Sequence, residues 1–302
     1  MTFDLLITNG LVVDGTGLPR RRADVAIQGG RIVGVGRFDA ASARRVIDAQ
    51  GRIVAPGIVD PHTHYDPQLT FEPFGTSSCY HGVTTVVTGN CGFSVAPTRA
   101  DDRPFITQIF GRVEDMSPGS LAAIPWDFET FPQFMDARRG HLGINAAFYV
   151  GHSNLRRWVM GDACFEREAT GDEVERMCAL VREAMQAGAA GLSSSHAPTH
   201  LDSLDRPVPS RLASRSELET LVAEVGRSNG GSISYLPYSS IGGLDEADGE
   251  FLIRLALASR LPIIIQGLGA RSKVDAPTAT WDHCVAYLER AVRTGTYCCF
   301  RP

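Results

Sequence analysis

The sequence predicts an α/β protein in which a small β-rich part over residues 1–57 precedes a sheet of parallel strand–helix units over residues 58–302. Three observations carry this. The first sixty residues are short β-branched runs broken by glycines, with no helical period. After Pro56-Gly57 apolar runs alternate with segments in which apolar residues recur at helical spacing. Those runs are separated by roughly thirty to forty residues, room for a crossover helix between parallel strands.

In the first part the strand-like runs are Leu5–Thr8, Leu11–Val13, Val25–Gln28, Ile32–Val35, Arg45–Ile47 and Ile53–Ala55. Asn9-Gly10, Gly29-Gly30 and Gly51 punctuate them with residues that accept the positive φ of tight hairpin turns, which predicts a small antiparallel sheet. In the second part the candidate strands are Ile58–His62, Thr84–Thr88, Asn145–Val150, Gly191–Ser194, Ser232–Tyr235 and Pro262–Gln266. Thr170 with Glu173, and Ser214 with Glu217, are capping-box patterns that open two of the intervening helices. Val174, Met177, Cys178 and Val181 share a face of the first, which Gly188 closes; Leu218, Leu221, Val222 and Val225 do so on the second. Phe251, Leu252 and Leu255, then Trp281, Cys284, Val285 and Leu288, mark two more amphipathic segments. The stretch from Ser94 to Gly140 is too long for an ordinary loop, so it is expected to be an insertion, near 94–140, over one end of the sheet.

Composition narrows the function. Of the 302 residues 43% are hydrophobic and 21% charged, a balance that excludes a disordered tail, a collagen-like fibre or a coiled coil. The formal net charge of −5, with no basic run, speaks against nucleic acid as a partner. No stretch approaches the ~20 apolar residues that span a bilayer, and MTFDLLITNG lacks a basic n-region. The expectation is a cytoplasmic protein with a small-molecule substrate and no membrane partner. Seven cysteines without regular spacing do not read as a disulfide framework.

His62-Thr63-His64 stands at the C-terminal end of a predicted buried strand, the first of the second part. Residues two apart on an extended chain project to one side, so both imidazoles can meet one cation at about 2 Å. That end of a parallel sheet is also where α/β barrels place their chemistry. The β-branched run Gly82–Thr88 leads into Gly89-Asn90-Cys91-Gly92 and delivers Cys91 to the end of the second strand. Alone, Cys91 reads as an inert buried thiol; beside two imidazoles, its soft sulfur completes a donor set suited to zinc.

Leu6–Gly10 (LITNG), Val13–Gly17 (VDGTG), Ala55–His64 (APGIVDPHTH) and Gly82–Phe93 (GVTTVVTGNCGF) together resemble the amidohydrolase superfamily and, within it, the N-acyl-D-amino-acid deacylases or D-aminoacylases. The resemblance implies a (β/α)8 TIM-type barrel, here incomplete with about six βα units, joined to a small β-sandwich part. It implies zinc-dependent hydrolysis of an amide C–N bond, with His62 and His64 as metal ligands and Cys91 as a bridging or capping thiolate. The family's remaining metal-binding histidines lie on strands five and six. There GGSISYLP (230–237) has no His, and LPIIIQGL (261–268) offers Gln266 and Gly267, which implies one zinc ion rather than two. The family's acid/base is an Asp on strand eight. A seventh strand would only begin near residue 302, so the chain is expected to be C-terminally truncated relative to the family. Asp60 and Asp66 are then the carboxylates nearest the paired histidines.

Gly151–Arg156 (GHSNLR) resembles the family's GHxxLR segment, which makes His152 and Arg156 candidate substrate-binding residues, the alternative for His152 being a loop His bonded to backbone. Gly191-Leu192-Ser193 matches the family's GLS element and adds Ser193 to that set. His196 and His200 offer metal nitrogen or are solvated, and the solvated reading is the expectation. His81, His141 and His283 lack supporting context, and Lys273, the one lysine, sits in a loop unsuited to a bridging carboxylated Lys. The expected function is hydrolysis of an N-acyl-D-amino acid. The alternatives are a one-zinc relative acting on another amide or imide, and a non-catalytic remnant of the fold.

Overall fold

A computed structural model of the chain describes residues 2–228, 230–240, 243–266, 280–293 and 298–300. It divides into two compact units, residues 1–58 and 59–302.

The first unit is one sheet of β1 (Leu5–Val12), β2 (Arg21–Gln28), β3 (Arg31–Gly36), β4 (Val46–Asp48) and β5 (Ile53–Val54). Gly29 and Gly30, at φ 58° and 71°, make the β2–β3 turn as their sequence predicts. Asn9-Gly10 does not turn the chain. It sits inside β1 as a bulge where pairing steps from Ile7–Val25 to Gly10–Ala23. The Asp24 carboxylate accepts from the Asn9 amide at 2.9 Å, so the group freed from the ladder is satisfied and the strand continues. Nor is the sheet antiparallel throughout. β4 and β5 both run parallel to β1, because the chain leaves β3 on one side of the sheet and crosses to the other edge. Val12, Ala23 and Val25 form its small core.

In the second unit β6 (Ile58–Asp60), β7 (Val83–Thr88), β8 (Asn145–Gly151), β9 (Gly191–Ser195), β10 (Ser232–Leu236), β11 (Ile263–Ile265) and β12 (Cys298–Phe300) lie side by side in chain order. Every pairing from β7 to β12 is parallel. All six predicted strands are present, and β12, in register with β11, is a seventh, lying slightly before the position near 302 where the sequence places its start. The helices are α1 (Arg103–Val113), α2 (Pro118–Ala122), α3 (Phe131–Arg138), α4 (His152–Met160), α5 (Gly171–Ala187), α6 (Arg215–Gly226), α7 (Glu246–Ser259) and α8 (Trp281–Arg293).

The 94–140 segment is more than a cover over one end of the sheet. It folds into α1, α2 and α3, and its Ile106, Ile109, Phe110, Phe128, Phe131 and Phe134 join the main core. α3 packs against α5, and Phe134 meets Phe148 of β8 edge-on with ring centroids 4.9 Å apart. α3 is thus the ordinary crossover helix, and α1 and α2 are the excursion before it.

The capping boxes divide. At α5 both halves form between Thr170 and Glu173, and Gly188 ends the helix at φ 102°. At α6 the Ser214 side chain accepts from the Glu217 amide, but the Glu217 carboxylate does not return to Ser214. It turns inward to accept from His152 Nε2 at 2.9 Å and to pair with Arg156, and all three side chains are sealed from solvent. Burial alone would raise the Glu217 carboxyl, but the His152 hydrogen bond and the nearby charges outweigh it and hold it down at about 2.

Glu217→Gln should therefore destabilise the fold by about 3–5 kcal/mol, since it leaves the Arg156 guanidinium buried without its counter-charge. Chemical denaturation at neutral pH measures this. The acid limb of the stability curve should change as well. A carboxyl held near 2 in the fold, against 4.5 when free, stabilises the protein fully above pH 4.5, and this contribution disappears as pH falls through 2. In the Gln variant the loss of stability between those pH values should be shallower.

Candidate metal centre

β6 ends at Asp60, one turn of the pleat before the paired histidines, yet its alternation persists. Thr63 points toward β7, where both its amide and its Oγ1 donate to the Val87 carbonyl at 2.9 and 3.0 Å. His62 and His64 are thereby turned to the opposite side, with their Nε2 atoms 3.3 Å apart. The His64 ring lies on Phe93 at 5.3 Å between centroids, with an interplanar angle of 19°.

The turn after β7 brings the sulfur to them. Gly89, Cys91 and Gly92 have φ of 79°, 59° and 81°. Left-handed backbone is routine for glycine and costly for cysteine, and such outliers persist only where surroundings impose them. The imposing contacts are explicit. Ser193 of β9 accepts from the Gly92 amide at 3.1 Å and donates to the Gly89 carbonyl, and the Ser153 amide donates to the Gly92 carbonyl at 2.8 Å. A Cβ on Gly89 would collide with the Tyr149 carbonyl, and one on Gly92 would stand 3.1 Å from Ser194 Cα. Cys91 Sγ ends 3.6 Å from His62 Nε2 and donates to Gln266 Oε1 at 3.2 Å.

His62, His64 and Cys91 thus offer ligand atoms that all lie within 4.8 Å of one another. The set fits zinc. For a tetrahedral ion with Zn–N of about 2.05 Å and Zn–S of about 2.3 Å, neighbouring nitrogens stand ~3.3 Å apart and nitrogen and sulfur ~3.6 Å. Burial pushes the Cys91 thiol well up, helped by the charges of Glu114 and Asp66, and burial beside His62 and His200 holds the His64 imidazolium well down. Burial also raises Glu114 to about 7 and Asp66 to about 6.

His62 and His64 open onto a cavity of about 580 Å³, walled also by Asp60, Tyr65, Phe71 and Glu114. Asp60 accepts from the His62 amide at 3.2 Å and is on that wall. Asp66 is not on it; only 1% exposed, it binds Thr88 through both its amide and its carboxylate. The three expected substrate-binding residues are not on this wall, and all three are buried. His152 and Arg156 are sealed against Glu217, which is the carboxylate that Arg156 meets, and His152 Nδ1 is 2.9 Å from Ser194 Oγ. Ser193 is buried in the clamp on the Cys91 turn.

His196 and His200 are not solvated as expected. His200 is 8% exposed and bonds Ser195 Oγ at 2.8 Å, and His196 lies between the Tyr235 hydroxyl and the Ala213 carbonyl. Burial holds both near 4. Gly267 and Lys273 fall outside the described residues. Sequence reasoning missed Glu114, the first residue after α1, whose Oε1 is 3.3 Å from His64 Nε2. It sits in an irregular stretch among other acids, with no local pattern to single it out.

No helix among the described residues is long and apolar enough to cross a membrane. A D-aminoacylase from Alcaligenes xylosoxydans xylosoxydans is 41% identical over 193 residues, 64% of this chain and 37% of the relative. An N-acyl-D-aspartate deacylase from the same organism is 40% identical over 192 residues, 63% of this chain and 36% of its own length. A solved D-aminoacylase structure, described by its binuclear metal centre and one-metal activation, superposes with a TM-score of 0.75 at 31% identity. An N-acyl-D-glutamate deacylase from Bordetella bronchiseptica, complexed with zinc and a phosphonate inhibitor, does so with 0.74 at 28%. Each superposition covers 99% of this chain but 58% of the other, so the chain spans little more than half of those structures and a smaller share of the curated relatives. The sequence profile of the amidohydrolase family matches residues 45–278, and with the partial barrel and the relatives this places the chain in the amidohydrolase family.

Proposed function

We propose that the chain is the metal-binding part of a zinc-dependent amidohydrolase that cleaves an amide C–N bond, its substrate class being N-acyl-D-amino acids. The observation that carries this reading is the convergence of His62, His64 and Cys91 at the C-terminal end of a parallel sheet, beside an open cavity. Bound zinc would supply Lewis acidity toward the amide carbonyl and lower the pKa of water toward ~7. The chain's own part is to hold the three donors, with Thr63 and the Gly89–Gly92 turn fixing their directions. Asp60, on the cavity wall next to His62, is the carboxylate we assign to proton transfer in preference to Asp66, which is enclosed behind Thr88.

The stoichiometry we infer is one ion. On the inner side of Cys91 a neutral network occupies the space: Gln266 accepts from Cys91 and donates to Asn90 Oδ1 at 3.1 Å and to Ser234. Amide and hydroxyl groups satisfied by one another are poor zinc donors. A second reading, a one-zinc relative acting on an amide without a neighbouring carboxylate, is favoured by the charge of the cavity. Asp60, Glu72 and Glu114 line it, and among the described residues no Lys or Arg does.

Zinc titrated into the metal-free chain should bind at one equivalent. Cys91→Ala should weaken binding by more than the roughly 10–100-fold that a ligand's outer partners are worth. Tight stoichiometric zinc in a His62→Ala, His64→Ala, Cys91→Ala triple variant ends the assignment. Gly89→Ala, which removes no donor atom, should also lose zinc, because its Cβ displaces the turn that carries Cys91; metal content of the purified variant reads this. Comparing N-acetyl-D-methionine with its uncharged carboxamide, in an amine-release assay with zinc, decides between the two substrate readings. The deacylase reading expects the acid to be preferred, and the second reading expects the carboxamide.

A further inference from the structure

We propose that Glu114 is the fourth protein group of the metal site, a carboxylate that compensates the charge a single thiolate leaves on the cation. The proposal rests on the zinc reading above and deepens it. Zinc held by two neutral imidazoles and one thiolate keeps one net positive charge. In a site where Cys91 is 5% exposed and the His64 side chain 11%, an uncompensated charge is costly.

Glu114 is held where it can answer that charge. Its amide donates to the Phe110 carbonyl at 3.2 Å, closing α1. Phe110 is fully buried, with its ring edge-on to Phe93 at 5.4 Å, and Phe93 is the ring on which His64 lies. Through this stack the end of α1 is locked to the imidazole. The carboxylate stands outside the three-donor group, on its His64 side, with Oε1 3.3 Å from His64 Nε2. Close to one donor but outside the group of three, the carboxylate would meet the cation through a metal-bound water or by a turn of its side chain.

A purely structural role explains the position poorly. An anion at a helix C-terminus faces the negative end of the helix dipole. Among the described residues no Lys or Arg pairs with Glu114, and its short polar contact is to the His64 ring. Glu72, on the same cavity wall, makes a useful contrast, since it accepts from Gln68 Nε2 and from the amides of Phe74 and Thr76 and so organises its own loop.

The test is the zinc affinity of the whole chain, measured against a chromophoric chelator, after circular dichroism and a thermal melt show that each metal-free variant is folded. Glu114→Gln should weaken zinc roughly 10–100-fold and change the visible absorption of the cobalt(II)-loaded protein. Glu72→Gln should leave both unchanged. Glu114→Asp, which keeps the charge, should fall between the unaltered chain and the Gln variant, and it carries the comparison if the Gln variant does not fold. Zinc affinity in Glu114→Gln equal to that of the unaltered chain, or an Asp variant no tighter than an apolar Glu114→Ala, overturns the proposal while leaving the three-donor site standing. An unaltered chain that takes up no zinc overturns both.

Discussion

Asn90 is fully buried, and both ends of its side-chain amide are engaged. Nδ2 donates to the carbonyls of Thr63 and Val87 at 3.2 and 3.0 Å, and Oδ1 accepts from Ser234 Oγ and Gln266 Nε2 at 2.8 and 3.1 Å. One side chain therefore ties the histidine-bearing segment after β6 to β7, β10 and the residue that follows β11. A neutral hydrogen bond adds only about 1 kcal/mol net, whereas a buried amide left unpaired costs about 1–3 kcal/mol per orphaned group. The network is consequently close to all-or-none. With Asn90 in place, Cys91 is held in a left-handed conformation it would not otherwise adopt, and its sulfur stands beside His62.

Two buried polar systems on this sheet are built on different terms. Around Asn90 the groups are neutral: amides, hydroxyls and a thiol, each answering another. Around Glu217 they are ionic, with Arg156 and His152 enclosed against one carboxylate. The second system joins α4 to α6, while Ser194, bonded to His152, and Ser193, bonded to Gly89, are neighbours on β9. Adjacent residues of a strand face opposite ways, so β9 serves the ionic network on one side and the Cys91 turn on the other. Ser193, which a motif-based reading assigns to substrate, is bonded to both ends of the turn that carries Cys91.

The neutral network also bears on the chemistry the centre can perform. Cys91 meets His62 on one side and Gln266 on the other, so its sulfur stands between an imidazole and a side-chain amide. The cavity lies on the histidine side, with carboxylates on its wall. The imidazoles and the carboxylates of Asp60, Glu72 and Glu114 thereby share one face of the cluster, and Gln266, Asn90 and Ser234 occupy the other.

Much of this was legible in the sequence because it depends on short-range periodicity. The strands from β6 to β11, the helix face of α5, its capping box and the Gly29-Gly30 turn are local patterns, and local backbone preference and burial agree there. His62 and His64 on one side of the chain follow from alternation alone. What tertiary structure decided were the partners of groups with more than one option. Asn9-Gly10 became a bulge because Asp24, fifteen residues away, satisfied its free amide. Glu217 left its cap because Arg156 and His152 were buried opposite it. β4 and β5 pair in parallel because an edge of β1 was open to them. Glu114 reached His64 through a stack of aromatic rings that no sequence window contains. Spacing along the chain determines which residues share a face; which group answers a buried charge or a free amide is decided only when distant segments meet.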